Sequence, residues 1–437
     1  MVLITFFFLI TAFVFCRVSV STYHKLWNPL FLLYFMLALG VLSSLLGIDE
    51  LVVSDKELTN GILWITIGGF LFSVSFLIGQ FLLGYCNKKG LLASERKRRV
   101  TSYKQETLSK LTTFAIIIAS IQLLVAFKVV IDLAGGDFSR LIVDNTSLRQ
   151  EYLHREEDIS SLFSLFSIFL TLNFYCLFCL FPEAIKQKCP RALLKLIIVL
   201  IIRMAGSIIT MSKEAFILDC IILISAYSAY LPDMKTEFRF FKKYVIYIVG
   251  LVITLILVTS IQRNYAAVRY NNYFEAVFGT IYSYIGMPVS AFCLLIARPS
   301  IFTLGDQCFR PVINVLSRFG ITERLTLFQE SIQGDVNVYS MFGNMYNDFS
   351  FAGIIFVSLV FGLFLGLVYR NDGSHRVGRI VVNSMVLMTL FFGYYDFKLM
   401  QTIYLFTILY AALFDRVFAK YLYRVDNCND VYYDSRA

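Results

Sequence analysis

The sequence predicts an all-α, polytopic membrane protein: a transmembrane helical bundle of about eleven spans with a long helical external loop. Three observations point that way. Of the 437 residues, 58% are hydrophobic and only 16% charged, against about 25% charged in an ordinary soluble chain. Apolar runs of about 17 to 25 residues, each long enough to cross roughly 30 Å of hydrocarbon as a helix, recur from one end to the other. The basic residues are spread over alternate loops rather than collected on one module, so the formal charge of +9 reads as a topology signal and not as a nucleic-acid surface. With seven prolines and no Ser/Pro/Gly-rich tract, residues 1–437 form a single integral membrane domain.

Taken in order, spans are expected at about 2–16, 29–48, 61–86, 111–133, 159–181, 196–210, 215–231, 244–262, 352–369, 380–395 and 399–417. The first run, Val2 to Phe15, has no basic residue before it and Arg17 after it, the reverse of a secretory signal, so it is expected to be retained. Loops 17–28, 87–110, 182–195, 232–243 and 370–379 hold 21 Lys and Arg, whereas the short loops of the other parity, 49–60, 134–158, 211–214 and 396–398, hold 6. Cytoplasmic loops retain basic residues, which puts the N-terminus outside and the tail, 418–437, inside. Residues 134–158 become the first large external loop, and 263–351 a second of close to ninety residues, far beyond an ordinary connection. Within it, Val277 to Ala297 is apolar but interrupted by Gly279, Gly286 and Pro288, so it either dips into the bilayer or crosses it. Of the nine cysteines, Cys16, Cys86, Cys176, Cys179, Cys220 and Cys293 fall in or beside apolar runs, Cys189 in a basic loop and Cys428 in the tail. Cys308 alone lies in a polar part of the long loop, and no disulfide is expected.

The long loop carries Arg263, Arg269, Arg298, Arg310, Arg318 and Arg324 and no lysine. Guanidinium grips phosphate oxygens through paired hydrogen bonds, so this surface suits a diphosphate; the alternative is pairing with Glu275, Asp306, Glu323, Glu330 and Asp335, or with lipid head groups. The first loop adds Arg140, Arg149, Arg155 and His154 among six carboxylates; Asp137, Asp144, Glu151 and His154 are candidate bases for a hydroxyl acceptor, unless all are simply solvated. Arg203 lies inside a span, where charge is expensive, and either anchors a phosphate or holds helices together. Lys213 and Glu214 form a tight turn, and Lys128 and Asp132, four apart, pair on one helix face. The stretch YSMFGNMYNDFSFAGIIF, 339–356, gathers Asn344, Tyr346, Asn347 and Asp348 at the membrane boundary. Asp348 reads there as a helix cap, as a base, or as both. No P-loop and no DxD pattern is present, and His24, His154 and His375 fall in separate loops, so neither a metal site nor a cofactor is expected.

On these residues the chain resembles the bacterial O-antigen or oligosaccharide repeat-unit polymerase (Wzy) family. The likeness in architecture covers the whole chain: about eleven or twelve spans and two Arg-bearing external loops. YNDFSFAGIIF is similar to the family's Tyr/Asp-Phe-Gly stretch through Asp348, Phe349 and Gly353, with Ser350 where glycine is common, and GSIITMSKEAFIL at 206–218 looks like its short turn, with Lys213 where arginine is frequent. The resemblance implies a multi-pass protein of the bacterial inner membrane. It would transfer a growing oligosaccharide from undecaprenyl diphosphate to a sugar hydroxyl of another undecaprenyl-diphosphate-linked repeat unit at the periplasmic face, without nucleotide sugar or metal. Expected diphosphate contacts are Arg263, Arg269, Arg310 and Arg324, then Arg140 and Arg203, with Asn344 and Tyr346 on sugar; the expected base is Asp348, then Glu151. Expected partners are the lipid-linked oligosaccharide, membrane lipid and a chain-length regulator, and no nucleic acid. A flippase or exporter of the same lipid-linked sugars is the main rival, a ligase moving finished chain onto a lipid A core the closest enzymatic one, and a membrane scaffold a third.

Overall fold

Inside hydrocarbon an unbroken apolar run satisfies its backbone polar groups only by bonding to itself as helix. The computed structural model describes residues 1–45, 51–88, 102–103, 105–137, 161–209, 213–231, 234–243, 284–317, 319–323, 338–370 and 376–424, with 140, 250, 279 and 282 as single positions. Its helices are α1 (Val2–Tyr23), α2 (Pro29–Ser44), α3 (Asp55–Lys88), α4 (Gln105–Leu133), α5 (Ser161–Phe178), α6 (Phe181–Lys186), α7 (Pro190–Ile209), α8 (Lys213–Tyr230), α9 (Met287–Leu295), α10 (Arg310–Ser317), α11 (Met341–Val368), α12 (Val377–Phe391) and α13 (Thr402–Leu422). A two-residue antiparallel pair joins Ser102–Tyr103 to Tyr423–Arg424. Seven of the described helices are long and apolar enough to cross a membrane, and Pro29–Ser44, Ile217–Tyr230 and Tyr404–Phe414 are shorter apolar helices beside them. The protein is therefore a multi-pass helical membrane protein. The span expected at 244–262 lies almost wholly outside the described residues.

Helix ends follow local chemistry. The first helix passes the expected boundary at 16 and ends at His24, whose φ of 52° is left-handed and whose N–H closes on the Val20 carbonyl. Asn28 then starts α2, its side chain accepting the Phe31 N–H at 3.0 Å, with Pro29 in the first turn. Ser54 and Glu57 start α3 as a capping box: the Glu57 carboxylate accepts from the Ser54 N–H at 2.8 Å, and Ser54 Oγ accepts from the Glu57 N–H at 3.3 Å.

The central contact is α3 against α11, and small residues make it close. A Cβ on Gly79 would stand 2.6 Å from the Leu363 carbonyl, and one on Gly362 2.1 Å from Ser75 Oγ. Such backbone approach is how membrane helices gain packing energy that lipid does not supply. Elsewhere α4 packs on α7, α12 on α8 and α13, and α1 on α2 and α3. Lys25 Nζ donates to the Ser228 carbonyl at 2.5 Å, and Glu237 accepts the Leu26 N–H at 2.5 Å, so two of the basic loops meet on one face.

Two half-length helices shape the opposite part of the bundle. The helix α9, within the apolar stretch 277–297, rises about 14 Å, half a bilayer core. Gly40 and Gly61 make room for its Val289 and Cys293. The other is the first arm of α11. Phe349 and Ser350 have non-helical angles, the latter φ 57° and ψ −149°. A Cβ on Gly353 would lie 2.0 Å from the Met345 carbonyl, although eight residues of straight helix separate such positions by about 12 Å. The chain therefore folds back at 349–350, so that 341–348 and 351–368 are the arms of a hairpin. Phe342 from one arm and Ile354 from the other both close on Gly68, while Trp64 stacks on Phe351 with ring centroids 4.3 Å apart.

Candidate functional site

A helix that stops inside a bundle leaves carbonyls without partners, and here one segment supplies them. Ser300 Oγ donates to the Tyr346 carbonyl at 2.8 Å, the Thr303 N–H to the Asn347 carbonyl at 3.1 Å and the Leu304 N–H to the Asp348 carbonyl at 3.2 Å. The favour is returned by the Asp348 side chain. Its Oδ1 accepts from Thr303 Oγ1 at 2.5 Å and from the Gln307 N–H at 3.0 Å, and its Oδ2 from the Cys308 N–H at 2.7 Å. The carboxylate is fully buried. Helix end and loop thus cap each other, with hydrogen bonds to a charged acceptor worth about 1.5–3 kcal/mol each.

This lock delivers Arg310, two residues past Cys308, to a second polar group. Asp396, in the short connection between α12 and α13, accepts from Asn344 Nδ2 at 3.1 Å and from the Phe397 N–H at 2.7 Å, while Lys398 Nζ reaches its other oxygen at 3.3 Å. Lys398 Nζ also sits 5.3 Å from the Phe392 ring centroid and 5.6 Å from that of Tyr395. Arg310 is buried, which pulls its guanidinium pKa down, and the Asp396 carboxylate pulls it back up. Aromatic packing closes the group from below: Phe309 lies on Phe361 at 5.9 Å and Phe361 meets Phe397 at 4.7 Å. Lys398 and Arg310 thus both lie in the field of the Asp396 carboxylate, beside the point where the helix is interrupted. Ser340 Oγ, just before the short arm, and Asn344 Oδ1 and Asn347 Oδ1 on it are buried with no hydrogen-bond partner among the described residues, and a hydroxyl-bearing ligand fits such acceptors.

Of the residues singled out in the sequence, Arg310, Asn344, Tyr346 and Asp348 meet at this end of the bundle, Tyr346 donating its hydroxyl to the Arg298 carbonyl at 2.6 Å. Asp348 faces the loop rather than an open space, three donors occupying its oxygens. Arg203 is held elsewhere, gripping Asp219 through Nε at 2.8 Å and Nη2 at 3.0 Å, with its guanidinium 5.0 Å from the Phe174 ring centroid. Arg140 is half-buried, its sequence neighbours being outside the described residues. Glu151, Arg263, Arg269 and Arg324 also lie outside them. Sequence reasoning passed over Asp219, Asp396 and Lys398. The rule that picked out Arg203, a charge within an apolar run, applies equally to Asp219.

Among the described residues, no group of three or more His, Cys, Asp or Glu side chains could hold a metal ion. Comparison of the chain with family models, with curated proteins and with solved structures found no match.

Proposed function

We propose that the protein is a membrane glycosyltransferase that polymerises lipid-linked oligosaccharide repeat units at the periplasmic face of the bacterial inner membrane, with its N-terminus outside and its C-terminus inside. The observation that carries this reading is the buried set of Arg310, Lys398, Asp396 and Asn344 beside an interrupted helix. In the reaction the acceptor sugar's hydroxyl oxygen bonds to the anomeric carbon of the donor chain, and the bond from that carbon to the diphosphate oxygen breaks. The electron pair leaves with undecaprenyl diphosphate, whose added charge Arg310 and Lys398 stabilise. The hydroxyl proton passes to a carboxylate, for which we take Asp396, while Asp348 holds the 303–308 turn in place. Asn344 and Asn347 receive sugar hydroxyls, and Arg263, Arg269 and Arg324 of the long loop, with Arg140, extend the diphosphate surface.

The interrupted helix also favours a second reading, export of the same lipid-linked sugars, because transporters build their central sites from broken helices. Purified protein in liposomes, given a defined undecaprenyl-diphosphate-linked repeat unit and no nucleotide sugar or metal, is expected to yield a ladder of lengths, and R310A or D396N to abolish it. Unchanged single units that move between leaflets would instead establish the exporter, and transfer only to a lipid A core acceptor the ligase.

A further inference from the structure

Between the mutual cap and the described end of the long loop, the chain turns large apolar side chains outward. Ile301, Phe302, Leu304, Val312, Phe319 and Ile321 are between 43% and 76% exposed, on a segment that spans nothing. A water-washed loop is expected to hide or lack such residues, and a patch of this kind marks a contact. Backbone geometry enforces the display. Phe302 and Leu304 have φ of 53° and 52°, the left-handed region that bulky side chains avoid, so strain is held in place while apolar groups point away from the protein.

The helix α10 has two sides that differ in kind. Its first residues, Arg310 and Pro311, are buried against the cluster, whereas Val312 faces out, and Phe319 and Ile321 follow just past its end. Exposed Arg298, Asp306 and Glu323 stand among or beside the apolar residues along the chain. An apolar face with charged flanks is the pattern of a helix lying in a membrane interface.

The position in the bundle says what covers this face. Phe309 stacks on Phe361, ten residues into the spanning arm 351–368, so the segment is seated alongside a membrane span and not above it. That arm also exposes Ile355, Phe356, Leu359 and Val360, the surface a span offers to lipid. Helix α13, against which α10 packs, exposes Leu409 and Leu413. The apolar residues of 301–321 therefore adjoin the lipid-facing surface of the bundle.

We propose that residues 301–321 form a shelf embedded in the hydrocarbon boundary of the bilayer, with lipid chains as its occupant, and that it holds Arg310 next to that boundary. The shelf does not depend on the transferase reading; it requires only that the bundle spans a membrane. Its chemistry admits an amphiphile with a hydrocarbon tail and an anionic head, the tail along the shelf and the head at Arg310.

Leu304→Trp and Phe319→Trp, made singly in the full-length protein with Trp27 and Trp64 replaced by Phe, are read in liposomes whose lipids carry bromine on the acyl chains. The shelf predicts that bromolipid roughly halves the emission of each indole and that aqueous acrylamide quenches it several-fold less than free tryptophan. Strong acrylamide quenching without bromolipid quenching at both positions would show a water-exposed loop and overturn the proposal. Shielding from both quenchers that disappears when the protein is diluted in lipid would assign the face to a second copy and overturn it equally. A Trp at Phe356 on the spanning arm, in the same background, reports that the bundle is inserted.

Discussion

Arg203 and Asp219 allow a structural role to be separated from a ligand-binding one by stability measurements. Their side chains are 13% and 0% exposed, and two hydrogen bonds of 2.8 and 3.0 Å join them. Replacing Arg203 by Met removes both bonds and leaves a buried carboxylate alone, for which about 3–5 kcal/mol of lost stability is expected. Replacing Asp219 by Leu costs less, about 2–4 kcal/mol, because the long guanidinium side chain keeps the Phe174 ring and can reach towards the interface. In the double variant no charge is stranded and two apolar side chains pack in the gap, so it should fall within about 1–2 kcal/mol of the parent. The cycle thus gives a coupling of about 3 kcal/mol or more. The assay is SDS-induced unfolding of the purified full chain in mixed micelles, following helix content. If the double variant is as unstable as the two single losses added together, the pair is not the stabilising unit described here. Polymerisation by the folded double variant gives a separate answer: full activity removes Arg203 from the diphosphate contacts, and total loss with intact folding restores it.

Ser350 holds φ 57° and ψ −149°, angles suited to glycine, so Ser350→Gly should stabilise the protein by about 1–3 kcal/mol and Ser350→Val should destabilise it; thermal unfolding in detergent measures both. Gly362→Val places a branched side chain where a single Cβ already stands 2.1 Å from Ser75 Oγ, so α3 and α11 must separate, at a cost of about 3 kcal/mol or more, seen as a lower unfolding midpoint. Cys308 is buried, and desolvation, with the Asp348 carboxylate beside it, keeps its thiol pKa well above the ordinary 9.0. Maleimide at pH 8.5 should leave it unlabelled in the parent and label it in Asp348→Ala, which releases the 303–308 turn; labelling at equal rates would contradict the cap. The same thiol fixes a sign for pH. Above 9.0 the unfolded chain loses this proton while the folded one keeps it, so the unfolded state binds fewer protons and stability should fall as pH rises through that value, an effect that Cys308→Ser abolishes in urea or SDS titrations.

The spanning helices were legible because their signal is a sum over many residues. Their ends were less so. Arg17 looked like a boundary, yet α1 continues to Tyr23 with Arg17 exposed on its surface, since a long basic side chain can leave the bundle without breaking the helix. In the site, Asp348 stood out as a carboxylate beside a span, and Ser350 as a serine where the resemblance called for glycine. Ser350 has a left-handed φ, which glycine adopts most readily. What one sequence does not display is that two of the three donors to Asp348 are backbone amides about forty residues upstream, groups that every residue but proline carries. Asp396 was passed over for a different reason. In a connection of three or four residues an acidic side chain reads as solvated, and only the surrounding Phe397, Asn344 and Lys398 turn it into a buried acceptor.

The interruption at 349–350 and the loop 300–308 are one unit, and the physics of the membrane requires it. Lipid offers no hydrogen bonds, so a helix end within the bundle persists only where protein covers it. Here the cover is made by the Thr303 and Leu304 amides and the Ser300 hydroxyl on one side and by the Asp348 carboxylate on the other. The covering loop then continues directly into Arg310 and into the outward-facing apolar residues. It follows that a change in the cap reaches both Arg310 and the apolar shelf, because both hang from it. Loosening Asp348 should therefore change the setting of Arg310 and the depth of Phe319 together, whereas a change at Asp396 should alter the cluster and leave the shelf where it is.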